Sequence, residues 1–455
     1  MVVRHVHIPS LREFRRDTRL ILIASGIFSV GLFGIQTLLK VLYVLRLGYG
    51  LEYIGLFTAA SALTYMTMSM PSGALGTRFG LKPAMVFGGV LTTLGMLMLP
   101  MTEMMPASAR DAWPIASQVV LMGGWSLISI NMVPALMAAT TNRTRDDAYA
   151  LSSMLRGAGT FLGTAVGGML PMIFVVLFGG TTDSPAPYRW SLLLATGFGF
   201  AGMIPLLRLR IERSEEVSIG TEAHSVFPLA LVAVAALHTV LTNAAFATCQ
   251  SFCSAYMDTD LGLSTASIGI LTAVGQFVAI LAPVAMPYFG ERRSHAWTLM
   301  MVSALSAVVL VPLALIPTWW SAGLGRMGLL ALAALWMPAL QVFQMTVIEQ
   351  HWRSLAYGAV STAMGFSFGT MSLAGGFVAA GMGYSALFML GGMTAAGGAA
   401  VMWTLRRHWL PLLARPELEE SDLEEAVLHE LADAQLSATM QRERESASRA
   451  AAGEA

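Results

Sequence analysis

The side chains with the most chemistry to offer cluster in "LHTVLTNAAFATCQSFCSAYM", residues 237–257. A helical spacing of four puts Cys249, Cys253 and Met257 on one face, with His238 three turns back and roughly in line. Thiolate and thioether sulfurs are soft donors that select Cu(I), so these three make a candidate metal site. His238 offers something different, because an imidazole with an ordinary pKa near 6.5 can take up and release a proton in the working range. Each has a plainer reading too. A free cysteine packs like a small hydrophobe, most of the 31 methionines fill space, and a histidine between helices serves as a hydrogen-bonding link. A second stretch, "PSGALGTRFGLKP" (71–83), sets Arg78 and Lys82 among glycines and prolines between two long apolar runs.

The elements that must position these residues are membrane spans. The chain of 455 residues is 55% hydrophobic and 12% charged, about half the charge density of a soluble domain, with a mean hydropathy of +0.65. A spanning helix needs about 20 apolar residues. Twelve such runs are predicted, at 20–45, 53–75, 83–101, 114–139, 149–179, 189–207, 228–257, 266–289, 296–316, 320–346, 355–381 and 384–405. The first follows a basic segment (Arg4, Arg12, Arg15, Arg16, Arg19), but it is too long for a signal-peptide core and lacks a small-residue cleavage site, so it is expected to stay as an anchor. The 27 basic and 27 acidic residues balance, and no basic-plus-aromatic surface segment occurs, so no nucleic-acid partner is expected. Two cysteines give neither a disulfide framework nor zinc-ligand spacing. With no Walker motif, no His-Glu-x-x-His and no paired interior carboxylates, an enzyme is not expected either.

Orientation follows from the rule that Lys and Arg in short loops stay on the cytoplasmic side. With the N-terminus inside, that side collects Arg78, Lys82, Arg143, Arg145, Arg208, Arg210, Arg213, Arg292, Arg293 and Arg353, against Arg46, Arg110 and Arg189 outside. The expectation is a multi-pass protein of the cytoplasmic (inner) membrane with both termini in the cytoplasm.

An internal repeat organises the runs. "LGYGLEYIGLFTA" (47–59) aligns with "LGLSTASIGILTA" (261–273) at an offset of 214, matching Gly55 to Gly269. At an offset of 208, Arg145, Ala148, Tyr149, Ser153, Gly157, Gly167 and Gly168 recur as Arg353, Ala356, Tyr357, Ser361, Gly365, Gly375 and Gly376. The predicted organisation is a cytoplasmic segment 1–19, a six-helix bundle 20–207, a charged linker 208–227, a second six-helix bundle 228–405 and a charged cytoplasmic tail 406–455.

Six plus six helices with a basic hairpin between the second and third of each half resemble the major facilitator superfamily, over residues 20–405. The family hairpin reads Gly-x-Leu-x-Asp-Arg-x-Gly-x-Lys; Gly73, Leu75, Arg78, Gly80 and Lys82 match it, and Thr77 replaces the Asp. The resemblance implies an all-α, twelve-helix fold of two pseudo-symmetric bundles. It also implies a cytoplasmic gate at this hairpin, here Gly73, Arg78, Gly80 and Lys82 with Arg145, Arg292 and Arg293. "GTFLGTAVGG" (159–168) is similar to the glycine motif of the family's proton-coupled drug antiporters, with Thr164 in place of its proline. Physically, Gly159, Gly163, Gly167 and Gly168 form a groove for a neighbouring backbone, so helix packing is the expected role. The antiporters' helix-4 Arg is absent, since twelve residues before Pro134 stands Met122.

In the family the central cavity is lined by helices 1, 4, 7 and 10. That assigns substrate contacts to Phe33, Gln36 and Lys40, to Trp125 and Asn131, to His238, Thr242 and Asn243, and to Trp336 and Gln341. Neutral hydrogen-bonding groups among aromatics suit a largely apolar small molecule with a few polar handles. Of three intramembrane cations, Arg156 and Arg326 are expected to snorkel to the surfaces, and Lys40 to face the cavity. The predicted function is a secondary transporter working by alternating access, with export of an amphipathic organic molecule favoured. A Cu(I) transporter and a non-transporting sensor or assembly factor stay open as alternatives. No cofactor is expected, and coupling to a proton or another ion is left open. The partners are a small-molecule substrate and membrane lipid, with the tail, where Leu423, Val427, Leu428 and Leu431 mark an amphipathic helix, free to engage a cytoplasmic partner.

Overall fold

The computed structural model describes residues 14–141, 144–210, 229–282, 295–348 and 352–409. Outside them lie Arg4, Arg12, Arg143, most of the linker, Arg292 and Arg293, and the tail helix. Among the described residues every regular element is helical and no strand occurs. In chain order the helices are α1 (Arg16–Arg46), α2 (Leu51–Phe79), α3 (Leu81–Met98), α4 (Ala112–Ala139), α5 (Arg145–Phe178) and α6 (Ala186–Leu207). There follow α7 (Leu229–Thr259), α8 (Thr265–Leu281), α9 (His295–Leu315) and α10 (Trp319–Val347). Arg353–Thr404 is continuous except at Gly383, whose φ of +83° breaks it into α11 (353–382) and α12 (384–404). Each predicted apolar run coincides with one of these segments to within a few residues, except the eighth, whose last seven residues lie outside the described residues.

Nine helical stretches among the described residues are long and apolar enough to cross a membrane, with α11 and α12 counted as one. The Ser- and Thr-rich α2 is not among them, and α8 is too short as described. The protein is a multi-pass membrane protein. Gly80, at φ +98°, ends α2 and opens α3, where Pro83 in the first turn gives up only an N–H that has no helical partner. Met1–Val401 forms one compact unit. The second begins at Met402, and its described part is the end of α12 and a π-helical turn, Leu405–Trp409, with the Arg407 guanidinium 5.2 Å from the Trp403 ring.

Close helix crossings set the packing. The middle of α1, Ser29–Gln36, is π-helical, a widened turn often found at functional sites. Against it lie the α5 glycines: a Cβ on Gly159 would sit 2.6 Å from the Gly26 carbonyl, one on Gly163 would strike Val30 and Gly34, and one on Gly167 would lie 3.1 Å from Ile35 Cα. The fourth, Gly168, faces elsewhere. Its Cβ would lie 2.7 Å from Gly269 Cα on α8, while one on Gly376 of α11 would lie 3.0 Å from Gly55 Cα on α2. The two crossings use the residues that the repeat aligns, Gly55 with Gly269 and Gly168 with Gly376.

Gly168→Ala must push two backbones apart, whereas Gly197 on α6 has nothing within 4 Å of a built Cβ. Thermal unfolding in detergent should show Gly168→Ala destabilised by about 1–3 kcal/mol and Gly197→Ala unchanged or slightly more stable.

Candidate functional site

The polar side chains of α7 divide by what they touch. His238 is fully buried; its Nδ1 donates to the Gly398 carbonyl at 3.0 Å and its Nε2 accepts from Trp336 Nε1 at 3.3 Å. That pattern fixes the neutral Nδ1–H tautomer. A second proton on Nε2 would aim a donor at the indole N–H, so this arrangement holds the imidazole as a link between α7, α10 and α12. Thr242 bonds Ser303 at 2.8 Å, Asn243 donates to the Met364 carbonyl at 2.9 Å, and Trp336 meets Phe246 edge-on at 5.6 Å. Asn131 is likewise engaged, donating to the Ser72 carbonyl at 3.0 Å, which ties α4 to α2. Gln341 is exposed, and the buried glutamine of α10 is Gln344, whose Oε1 has no partner.

Around α1 the ties are fewer. Phe33 meets Trp125 edge-on at 5.0 Å, and Gln36, 1% exposed, has no partner for either amide atom. Lys40 Nζ donates to Gln118 Oε1 at 3.2 Å and lies 5.6 Å from the centre of the Phe57 ring; Ser61 donates to the same Oε1 at 3.0 Å. Gln118 and Ser61 were not singled out in the sequence, and a polar residue facing Lys40 across two helices leaves no local signal.

A cavity of about 50 Å³ lies where α1, α5, α7, α8 and α10 meet. It has room for a few waters, well below the several hundred Å³ of a typical ligand cleft. Phe33, Phe246 and Leu329 supply apolar wall, and Thr37, Gln250 and Gln276 supply polar groups. Cys249 and Arg326 border it as well. Arg326 is the correction here. The expected snorkelling to the surface does not occur: the residue is 6% exposed, its Nη1 donates to the Cys249 carbonyl at 3.2 Å, and its Nε–H has no acceptor. Its position around α10, rather than its depth along it, turns it inward. Arg156, by contrast, is exposed. Cys249, Cys253 and Met257 are all buried along α7, and among the described residues no group of three His, Cys, Asp or Glu is placed to hold a metal ion.

Charge marks both ends of the bundle. At one end Arg46 of α1 grips Asp258 of α7 through two hydrogen bonds of 2.7 Å, donates Nε to the Thr182 carbonyl at 3.0 Å and lies 5.6 Å from the Tyr188 ring centre. Tyr188 in turn bonds Thr265 of α8 at 2.7 Å. At the other end, Arg78 is exposed with its guanidinium 5.4 Å from the Phe79 ring, Lys82 is half-buried, and Gly73 faces Ile130. Thr77 donates to the Ala74 carbonyl of its own helix, and Arg145 opens α5 with its Nε unpartnered.

Residues 21–257, more than half the chain, match the Major Facilitator Superfamily profile. The chain belongs to that superfamily. A sequence search of curated proteins returns no match. Solved structures with the same fold include the nucleoside transporter NupG, at 12% identity and a TM-score of 0.69 over 86% of this chain and 99% of that one. A D-xylose–proton symporter aligns at 12% identity and 0.69, covering 85% and 97%. A bacterial homologue of the human lysosomal transporter Spinster, in an inward-facing and occupied conformation, aligns at 13% and 0.67, covering 87% and 97%. The facilitator-superfamily fold makes this chain a secondary membrane transporter, with no enzymatic reaction to place.

In this facilitator, His238→Leu strands a buried indole N–H and a buried carbonyl, each costing about 1–3 kcal/mol, and should lower the unfolding midpoint. His238→Gln should recover part of that loss. Solute movement by His238→Gln in proteoliposomes should keep the wild-type pH dependence across the range where a free imidazole titrates; a flattened profile would return His238 to the role of proton carrier.

Proposed function

We propose that the chain moves an amphipathic organic solute by alternating access, with export as its direction, through the cavity between α1, α5, α7, α8 and α10. The observation that carries this reading is that helices from both repeats wall the cavity while the bidentate Arg46–Asp258 pair joins α1 to α7 at one end. A charge-assisted fork of this kind is strong and directional, and it must break before that end can open. The bias of basic residues makes the Arg46 end the outer one and the Arg78 hairpin the cytoplasmic gate. Rocking of the two halves about a midplane site then exposes the cavity to each side in turn.

The test uses the protein's own Cys249, which borders the cavity. In proteoliposomes, Arg46→Ala or Asp258→Ala should raise its labelling by a membrane-impermeant thiol reagent from the Arg46 side by at least about tenfold, equivalent to about 1.4 kcal/mol. The charge exchange Arg46→Asp with Asp258→Arg should bring labelling back towards wild type. Equal labelling in all four proteins would remove the pair from any gating role.

A further inference from the structure

Among the described cations inside the bundle, Arg326 stands apart. Arg46 and Arg189 have carboxylate partners, and Lys40 is held by Gln118 and the Phe57 face. Arg326 has one carbonyl, an unpartnered Nε–H, and a cavity whose described lining contains no carboxylate. A guanidinium away from water is costly unless something compensates its charge. What surrounds it is neutral and offers hydrogen-bond donors: Gln250, Gln276, and Thr272, whose buried hydroxyl also lacks a partner, while the Thr37 hydroxyl is already given to the Leu32 carbonyl. One buried cation with spare donors is complementary to one anionic group. The planar guanidinium fork matches a carboxylate in particular.

We propose that the cavity beside Arg326 binds the carboxylate of a small organic monoanion, with the apolar remainder of the molecule against Phe33, Phe246 and Leu329. This rests on the transporter reading above and narrows its solute from an amphipathic organic molecule to an amphipathic monocarboxylate. The volume, about 50 Å³, takes the head group in the present conformation, and the aromatic walls must part for the rest. Binding a single negative charge makes the loaded site neutral, which lowers the cost of carrying Arg326 through a low-dielectric occluded state.

Trp125 packs on Phe33 and Trp336 on Phe246, so tryptophan fluorescence of the full-length protein in detergent reports on both walls. The probes are phenylacetate and 4-phenylbutyrate, with phenylacetamide and phenethylamine as neutral and cationic isosteres and inorganic sulfate as a competitor. The carboxylates should bind saturably and raise the unfolding midpoint, with the amide and amine at least about tenfold weaker, a difference of about 1.4 kcal/mol. Arg326→Lys should keep a weakened preference for the acid, and Arg326→Gln should abolish it. Equal binding of acid and amide by wild type, retention of the preference in Arg326→Gln, or no carboxylate binding at all would overturn the proposal. Displacement of phenylacetate by sulfate at equal concentration would overturn its organic part. Should Arg326→Gln not fold, the wild-type comparison and Arg326→Lys decide alone. Uptake of radiolabelled phenylacetate by proteoliposomes separates the two readings. Selective binding without movement of any solute would sink the transporter reading and leave the anion site standing; movement of neutral solutes with no acid binding would do the reverse.

Discussion

The backbones of α2 and α11 meet at Gly55 and Gly376, and those of α5 and α8 at Gly168 and Gly269, without intervening side chains. Within a bilayer there is no hydrophobic drive to press helices together, so close packing of small residues has to supply the attraction. The consequences run inward from those crossings. Thr164 lies one turn before Gly168 on α5, and Thr272 lies three residues after Gly269 on α8. Holding the two glycines together brings both hydroxyls to the same cavity wall, opposite Arg326 and beside the π-helical part of α1. The composition of the cavity wall is therefore set partly by residues that are not among its lining.

The same geometry sorts the buried polar groups into two populations. His238, Thr242, Asn243 and Asn131 are satisfied by partners on other helices, and each therefore fixes a distance between helices. Gln36, the Thr272 hydroxyl, the Arg326 Nε–H and Gln344 Oε1 have none. A buried polar group without a partner costs about 1–3 kcal/mol. Thr272 and Arg326 carry that cost on the cavity wall, and Gln36 stands beside the lining residue Thr37. The satisfied groups fix distances between helices, whereas Thr272 and Arg326 present unpaired donors to the cavity.

This division explains what could be read from the chain. Hydropathy and period locate the spans, because both depend only on neighbours along the helix. The repeat and the α5 glycine spacing are equally local patterns, and the glycines do sit at backbone crossings. Which polar side chain finds a partner depends on residues far away: Gly398 for His238, Ser72 for Asn131, Gln118 for Lys40. No window of sequence contains that information. Arg326 and Gln341 show the same limit in another form. Depth along α10 is legible from residue counting, but α10 is apolar on nearly every side, so no periodicity says which way a given residue faces. The arginine expected at the surface is buried, and the buried glutamine of α10 is Gln344, while Gln341 is exposed.

The two ends of the bundle differ in the contacts that hold them. At the Arg46 end a bidentate guanidinium–carboxylate pair bridges the first and second repeats, close to the start of α2 and of α8, where Gly55 and Gly269 lie only one turn in. Closure there draws on charge-assisted hydrogen bonds and backbone contact together. At the hairpin end, the position where the family carries an acid holds Thr77, and its hydroxyl is already engaged with the Ala74 carbonyl of its own helix. The hairpin can thus offer no charged acceptor of its own to a facing helix, and a neutral hydrogen bond is roughly half as strong as a charge-assisted one. On the gating reading proposed above, opening the Arg46 end requires breaking the Arg46–Asp258 pair, and solute binding has to contribute what that break needs.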